Sequence, residues 1–101
     1  MFKNGMRPVH PGEILREDYP PPMKVSANAL AKALKVPATR INDIVRERRG
    51  VTADTALRLA RYLGSTPQFW QNLQVAYDLR TAEIDHGARI RHEVKATRKA
   101  A

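Results

Sequence analysis

The sequence predicts an all-α fold of five helices, and three observations predict it. Wherever apolar residues recur regularly, they recur at the three- and four-residue spacing of an α-helix. No segment alternates strictly between apolar and polar residues, as a half-buried strand would. Capping residues stand immediately before several of the apolar stretches. With 101 residues, of which 43% are hydrophobic, the chain suffices for one modest core and therefore for one domain.

The first three helices are predicted over residues 11–19, 27–35 and 38–46. Pro11 suits the first position of a helix, and the prolines at 20–22 end the first helix because proline lacks an N–H group. Ser26 is a good N-cap for the second helix. The apolar stripe of that helix consists of Ala27, Leu30, Ala31 and Leu34. Pro37 then limits the turn before the third helix to three or four residues.

The fourth helix is predicted over residues 53–63, and the fifth from residue 67 to at least residue 78. Thr52 and Thr66 are suited to cap their N-termini, and Gly64 is a suitable C-terminal stop for the fourth helix. Both helices have start signals and apolar residues at helical spacing. The sequence therefore predicts them more strongly than any element after residue 80.

The charge balance favours a polyanionic partner. The chain has 18 Lys and Arg against 10 Asp and Glu, a net charge of +8, and nucleic acid is the commonest partner of such small basic domains. A basic protein without such a partner is the alternative. The absence of cysteine excludes disulfides and thiolate metal sites. No apolar run is long enough for a signal peptide or a membrane span, so we expect a cytoplasmic protein without a membrane partner.

The second and third helices have the pattern of a helix-turn-helix unit, VSANALAKALKVPATRINDIVRERRG, at about residues 25–49. Small residues on the supporting helix allow the other helix to cross closely, and the second helix of such a unit enters the major groove of DNA. The predicted organisation is therefore an N-terminal extension, a DNA-binding domain and a basic C-terminal segment, at residues 1–9, 10–80 and 81–101. The last segment is either helical or disordered, and residues 85–87 indicate an interruption of the helix.

Several side chains of the third helix match the chemistry of base edges. Arg40 can donate two hydrogen bonds to guanine, and Asn42 can pair with adenine. Asp43 can accept from cytosine or form an ion pair with a neighbouring arginine. The predicted base contacts are Ala38, Thr39, Arg40, Asn42 and Asp43, and the arginines placed to meet phosphates are Arg46, Arg48 and Arg49. The alternative is an ordinary helical bundle whose third helix has a solvated polar face.

Four segments resemble the HigA-type antitoxins, a branch of the Cro/repressor-like (XRE) helix-turn-helix superfamily. They are HPGEIL at 10–15, LAKALKVPATRINDIV at 30–45, TADTALRLARYLG at 52–64 and FWQNLQVAYDL at 69–79. The resemblance implies a five-helix, lambda-repressor-like fold and a homodimer on a palindromic operator. It also implies repression of the protein's own operon and neutralisation of a HigB-type toxin that cleaves mRNA. On this resemblance, Ser26 and Asn28 are expected to contact phosphates.

Two further surfaces are candidates for protein partners. The aromatic and apolar face of the fifth helix is either core or dimer interface, and the expected interface residues are Phe69, Trp70, Leu73 and Tyr77. The acidic side of the first helix is either a solvated face or a docking surface for a basic toxin. Its residues are Glu13, Glu17 and Asp18.

The sequence does not support a metal, a cofactor or an enzymatic site. His10 and Glu13 are three residues apart, but no third ligand is evident near them. No nucleophile–base pair or phosphate-binding loop is recognisable, so we expect no enzyme. The alternatives to an antitoxin are a stand-alone helix-turn-helix transcriptional regulator and a module that binds only proteins. A toxin gene in the adjacent reading frame separates the first two, and DNA binding separates both from the third.

Overall fold

The computed structural model describes residues 7–17 and 26–97, which form five α-helices. They are α1 (Pro11–Glu17), α2 (Ala27–Leu34), α3 (Ala38–Val45), α4 (Ala53–Leu63) and α5 (Pro67–Glu93). These residues contain no strand, so the all-α prediction is confirmed for this part of the chain. In the same two ranges no helix combines the length and the apolar character needed to cross a membrane. The predicted end of the first helix, at 18–22, lies outside the described residues.

The predicted N-caps of three helices are confirmed. The hydroxyl oxygens of Ser26, Thr52 and Thr66 each accept a hydrogen bond from the backbone N–H three residues further on, at 3.1 to 3.4 Å. Each cap satisfies one of the N–H groups that the first turn of a helix leaves unpaired. The starts of α2, α4 and α5 therefore follow directly from local sequence.

The turn between α2 and α3 consists of three residues, Lys35, Val36 and Pro37. Lys35 has a φ of 63°, in the left-handed region, and the N–H of Val36 donates to the carbonyl of Ala31 at 3.0 Å. This hydrogen bond reverses the chain at the C-terminus of α2. The short turn fixes the angle between the two helices of the helix-turn-helix unit.

The core lies where α2, α3 and α4 meet the first half of α5. Its fully buried side chains include Ile41, Ile44, Leu59 and Trp70. The indole Nε1 of Trp70 donates to the hydroxyl of Ser65 at 2.8 Å, and the Trp70 side chain is 0% exposed. The assignment of Trp70 to a dimer interface is therefore wrong, because the residue has no surface left for a partner. Helical spacing could not separate the two roles, since core and interface residues follow the same period.

Helix α1 packs against α3 at a close crossing. A Cβ atom at Gly12 would lie 1.8 Å from the backbone oxygen of Ile44, so the absence of a side chain permits this contact. At the other end of α1, Arg16 donates to the carbonyl oxygen of Val45 and forms an ion pair with Glu47 at 3.1 Å. A cation at the C-terminus of a helix is stabilising because the unpaired carbonyls there carry partial negative charge. Helix α1 thus supports the C-terminus of α3.

Helix α5 continues without a break to Glu93, so the predicted interruption at 85–87 is wrong. Residues 81–93 are helical rather than disordered, and the helix crosses the predicted domain boundary at residue 80. The Glu83 side chain lies across Gly87 and pairs with Arg91 one turn further on. This pairing over Gly87 supports the helix at the position where glycine itself weakens it. The part of α5 beyond residue 79 carries several exposed apolar residues.

Candidate DNA-binding interface

The outward face of α3 is defined by the two isoleucines that anchor the helix. Ile41 and Ile44 are fully buried. Because successive residues of an α-helix are rotated by roughly 100°, Thr39 and Arg46 lie opposite these anchors. Thr39 and Arg46 are exposed, and Asp43, which lies beside them on the helix surface, is half-buried. The centre of the outward face is therefore formed by Thr39, Asp43 and Arg46.

Asn42 lies at the edge of this face and is held by α2. Its side-chain NH2 group donates to the Asn28 side-chain oxygen at 2.8 Å and to the backbone oxygen of Ala38 at 2.9 Å. Both donors of the Asn42 amide are therefore engaged within the helix-turn-helix unit. Pairing with adenine, which needs one donor and one acceptor of the same amide, requires Asn42 to release one of these bonds.

Arg40 lies on the opposite edge and contacts α4. Its guanidinium donates to the carboxylate of Asp54 at 2.7 Å and to the hydroxyl of Thr55 at 3.4 Å. An ion pair between Arg40 and Asp43, which was one of the alternatives for Asp43, does not form, since Arg40 pairs with Asp54. No ion pair joins Asp43 to Arg40 or Arg46 among residues 7–17 and 26–97, so the Asp43 carboxylate keeps its capacity to accept a hydrogen bond.

The residues predicted to meet phosphates are on the surface at both ends of the unit. Ser26 and Asn28 are exposed at the N-terminus of α2, and Arg46, Arg48 and Arg49 are exposed at the C-terminus of α3. The Ser26 oxygen accepts the cap hydrogen bond, which leaves its O–H free to donate. Pro37 at the start of α3 offers no side-chain cap. The N–H of Arg40 donates to the carbonyl of Pro37 at 3.0 Å, and the N–H groups of Ala38 and Thr39 are the ones at the start of α3 that an anion can reach.

Two glutamines of α5 fix the loop that follows α3, and the sequence did not predict this role. Gln71 donates its side-chain NH2 to the carbonyl of Val51 at 2.9 Å. The N–H of Val51 donates to the side-chain oxygen of Gln74 at 2.7 Å. Val51 is buried, so both of its backbone polar groups need a partner inside the protein. The two glutamines are three residues apart, on the inner side of α5. This spacing of two amide side chains is the feature of the sequence from which their role could have been predicted.

Comparison with known proteins places this geometry in a family. A family model described as "Helix-turn-helix" matches residues 22–70. The virulence-associated protein I of Dichelobacter nodosus is 65% identical over 83 residues, which are 82% of this chain and 77% of that protein. The antitoxin GraA superposes with a TM-score of 0.88 and 58% identity, over 91% of this chain and 99% of that one. Pseudomonas aeruginosa antitoxin HigA, solved with the higBA promoter, is 52% identical and superposes with a TM-score of 0.86, over 90% of this chain and 99% of that one. The chain belongs to the HigA-type antitoxin family.

Most of the residues predicted for the dimer interface of this HigA-type chain make contacts inside their own chain. Leu73 packs against the core, and the ring of Tyr77 meets the edge of the His10 ring at 4.8 Å between centroids. Phe69 is 40% exposed and stands edge-on to Trp70. Of the four residues predicted for the interface, Phe69 thus presents the largest surface to a partner.

The acidic side of α1 in this HigA-type chain is partly neutralised. Arg7 donates two parallel hydrogen bonds to the carboxylate of Glu13, at 2.8 and 2.6 Å. These bonds lower the pKa of Glu13 below its usual value. Glu17 is exposed and lies 3.5 Å from Arg16. Asp18, the third acidic residue predicted for this surface, lies outside the described residues.

His10 has a structural role at the start of α1. Its Nδ1 accepts a hydrogen bond from the N–H of Gly12 at 2.8 Å, so the ring caps the helix. The ring is buried, and this burial lowers the pKa of His10 below its ordinary value of 6.5. In the structure Nδ1 of His10 serves the cap, and the Glu13 carboxylate pairs with Arg7. Within the described ranges no three potential ligands converge.

Proposed function

We propose that this chain is the antitoxin of a type II toxin–antitoxin system that binds operator DNA and represses its own operon. The observation that carries the proposal is the outward face of α3, which presents Thr39, Asp43 and Arg46 on a firmly packed helix. Exposed arginines and α2 N-terminal residues flank this face, as a reader of the major groove requires. Antitoxin GraA, with which the chain shares its fold, has also been solved in complex with its operator.

We propose that the DNA-bound form is a homodimer whose contact is made by exposed apolar residues of α5. Leu79 is 67% exposed, and Ile90, about three turns further along α5, is exposed on the same side of the helix. These residues replace Trp70 as candidates, because they retain apolar surface that a second copy can bury.

The dimer proposal is tested with two matched leucine substitutions. Leu79→Glu places a charge on the proposed interface, and Leu57→Glu places one on α4 at a similarly exposed leucine, at 60%. We expect Leu79→Glu to yield monomers in sedimentation velocity runs while Leu57→Glu remains dimeric. A dimer that survives Leu79→Glu but not Leu57→Glu would move the interface to α4.

We propose further that α1 contributes to the binding of a basic toxin. Glu17 is the stronger candidate there, because the Glu13 carboxylate already has Arg7 as a bidentate partner. Glu17→Lys is expected to slow association at low salt, where charge steering is strongest. Glu93→Lys, at an exposed acid on α5, is the control. Equal association rates for the two variants would remove α1 from the toxin surface.

The antitoxin role itself is tested with the product of the adjacent gene. We expect that product to co-purify with this chain and to stop growth when expressed alone. Co-expression of this chain should restore growth. If the neighbouring product is harmless and does not co-purify, yet the chain binds its promoter, the stand-alone regulator becomes the better account.

A further inference from the structure

Arg40 differs from the other polar residues of α3 in its direction. Arg40 follows Thr39 directly, so the two side chains are roughly 100° apart on the helix surface. Arg40 also lies next to the buried Ile41 and four residues before the buried Ile44. Its side chain is 29% exposed, and it lines a cavity of about 500 Å³ bounded by the α3–α4 loop, α4 and α5. A side chain so placed lies beside the groove-facing surface of the helix rather than on it.

The partner of Arg40 belongs to a network that joins three helices. Asp54, in the first turn of α4, accepts from Arg40 at 2.7 Å and from Arg58 at 2.9 Å. Arg58 in turn donates to the carbonyl of Leu34 at 3.0 Å, at the last residue of α2. The Asp54 carboxylate on α4 therefore holds Arg40 of α3. It also holds Arg58 of α4, which in turn contacts the C-terminus of α2. The two hydrogen bonds lower the pKa of Asp54, that from Arg58 more strongly than that from Arg40.

The negative charge of Asp54 affects how this surface can approach DNA. A bare carboxylate beside a phosphate backbone is repelled, whereas two guanidinium partners leave the local cluster with a net positive charge. If Arg40 turned away to pair with guanine, Asp54 would lose one of these partners at the moment DNA arrived. In the observed arrangement both guanidinium groups contact Asp54.

We propose that Arg40 is a positioning residue, held by Asp54 and Thr55, and that base discrimination falls on Thr39 and Asp43. The proposal rests on the proposed function, because it assigns roles within the operator-binding site. In this arrangement the buried Ile41 and Ile44 fix the rotation of α3, and the Arg40–Asp54 ion pair restrains the first turn of the helix against α4. That rotation sets where Thr39 and Asp43 meet the base edges.

The test uses Arg40→Gln, Asp54→Asn and the double variant on a set of operator duplexes, each with one base pair exchanged. Asp54→Asn is the decisive variant, because it removes the ion pair with Arg40 and leaves the Arg40 side chain able to contact DNA. Affinities are measured by fluorescence anisotropy at one fixed salt concentration. Arg61→Gln, an exposed arginine on α4 outside the network, is the matched control. Asp54→Glu tests rescue, since its carboxylate still reaches Arg40.

We expect Arg40→Gln and Asp54→Asn each to weaken discrimination at the Thr39 and Asp43 base pairs by about two- to fivefold, as for a partly exposed ion pair. The double variant loses less than the sum of the two single losses, because both substitutions remove the Arg40–Asp54 ion pair. Asp54→Glu and Arg61→Gln keep the wild-type pattern. Thr39→Val, by contrast, abolishes discrimination at one base pair.

Two results would overturn the assignment. In one, Arg40→Gln binds one exchanged base pair as well as the original while Asp54→Asn discriminates normally, which makes Arg40 a base contact. In the other, both single variants discriminate like the wild type, or their losses add in the double variant. A wild-type chain that does not prefer its operator over shuffled DNA refutes the proposed function instead, before any variant is compared.

Discussion

Replacing Trp70 separates a core role from an interface role. The side chain is the largest that the described core buries completely, and its indole N–H bonds to Ser65 at 2.8 Å. Truncation of a buried tryptophan to alanine costs about 3–5 kcal/mol. The free energy of unfolding of a domain of this size is about 5–15 kcal/mol, so Trp70→Ala removes a large part of it. Trp70→Phe, which fills most of the volume but loses the hydrogen bond, should cost about 1–2 kcal/mol.

The assay is urea unfolding followed by far-UV circular dichroism at several protein concentrations. Several concentrations are needed because dissociation of a dimer makes apparent stability depend on concentration. In thermal scans, Trp70→Phe should lower Tm by about 4–16 °C. Phe69→Ala, at the exposed neighbouring position, should cost much less stability. A Trp70→Ala chain that melts like the wild type but runs as a monomer would show that the residue belongs to an interface.

Three further perturbations test the packing around the site. Gly12→Ala should destabilise the chain by about 3 kcal/mol or more, because the new methyl group meets the backbone oxygen of Ile44; an unchanged urea midpoint would contradict the close crossing. Because burial lowers the pKa of His10, the unfolded chain binds the proton first, so stability should be full above pH 6.5 and fall below it by at most about 1.4 kcal/mol per pH unit. His10→Asn should flatten this dependence between pH 6.5 and 5, and a persisting slope would assign it elsewhere. Gln74→Ala should cost about 1–3 kcal/mol by leaving the N–H of Val51 unpaired, and wild-type hydrogen exchange at that amide would refute the contact.

The local elements of the fold were predictable because their signals are local. Ser26, Thr52 and Thr66 each satisfy an N–H group only three residues away, so their sequence positions sufficed to place three helix starts. Gly64, with a φ of 77°, ends α4 where the sequence predicted it. Such signals depend on one turn of the chain and not on the tertiary fold.

The interruption predicted at 85–87 was wrong because the propensity of a single residue does not include side-chain contacts between helical turns. Gly87 is tolerated within α5 because a side chain from the preceding turn covers it and pairs further along the helix, which local propensity does not register. Helix α3 ends at Val45, within one residue of its predicted end, and Glu47 just beyond it has a φ of 62° and forms an ion pair with Arg16 of α1. Because Glu47 is neither glycine nor proline, no local signal marks this left-handed position. Its support comes from a tertiary contact.

The same distinction applies to the candidate DNA-binding residues. The sequence correctly placed Thr39 and Asp43 on the accessible side of α3, because helical periodicity fixes which residues oppose the buried isoleucines. It could not show that Arg40 meets Asp54, fourteen positions further along the chain, or that Asn42 meets Asn28. Both contacts depend on how the helices pack. The residue types alone made Arg40 and Asn42 candidates for base contacts beside Thr39 and Asp43.

We expect the unit formed by α2, the turn and α3 to recognise a specific operator. Anisotropy titrations of the wild-type chain against its own promoter and against a shuffled duplex of equal length and composition measure this recognition. At near-physiological salt, we predict about 1,000-fold or greater preference for the promoter. The preference should persist when salt is raised, while both affinities fall. Equal affinity for the two duplexes at every salt concentration would contradict the account.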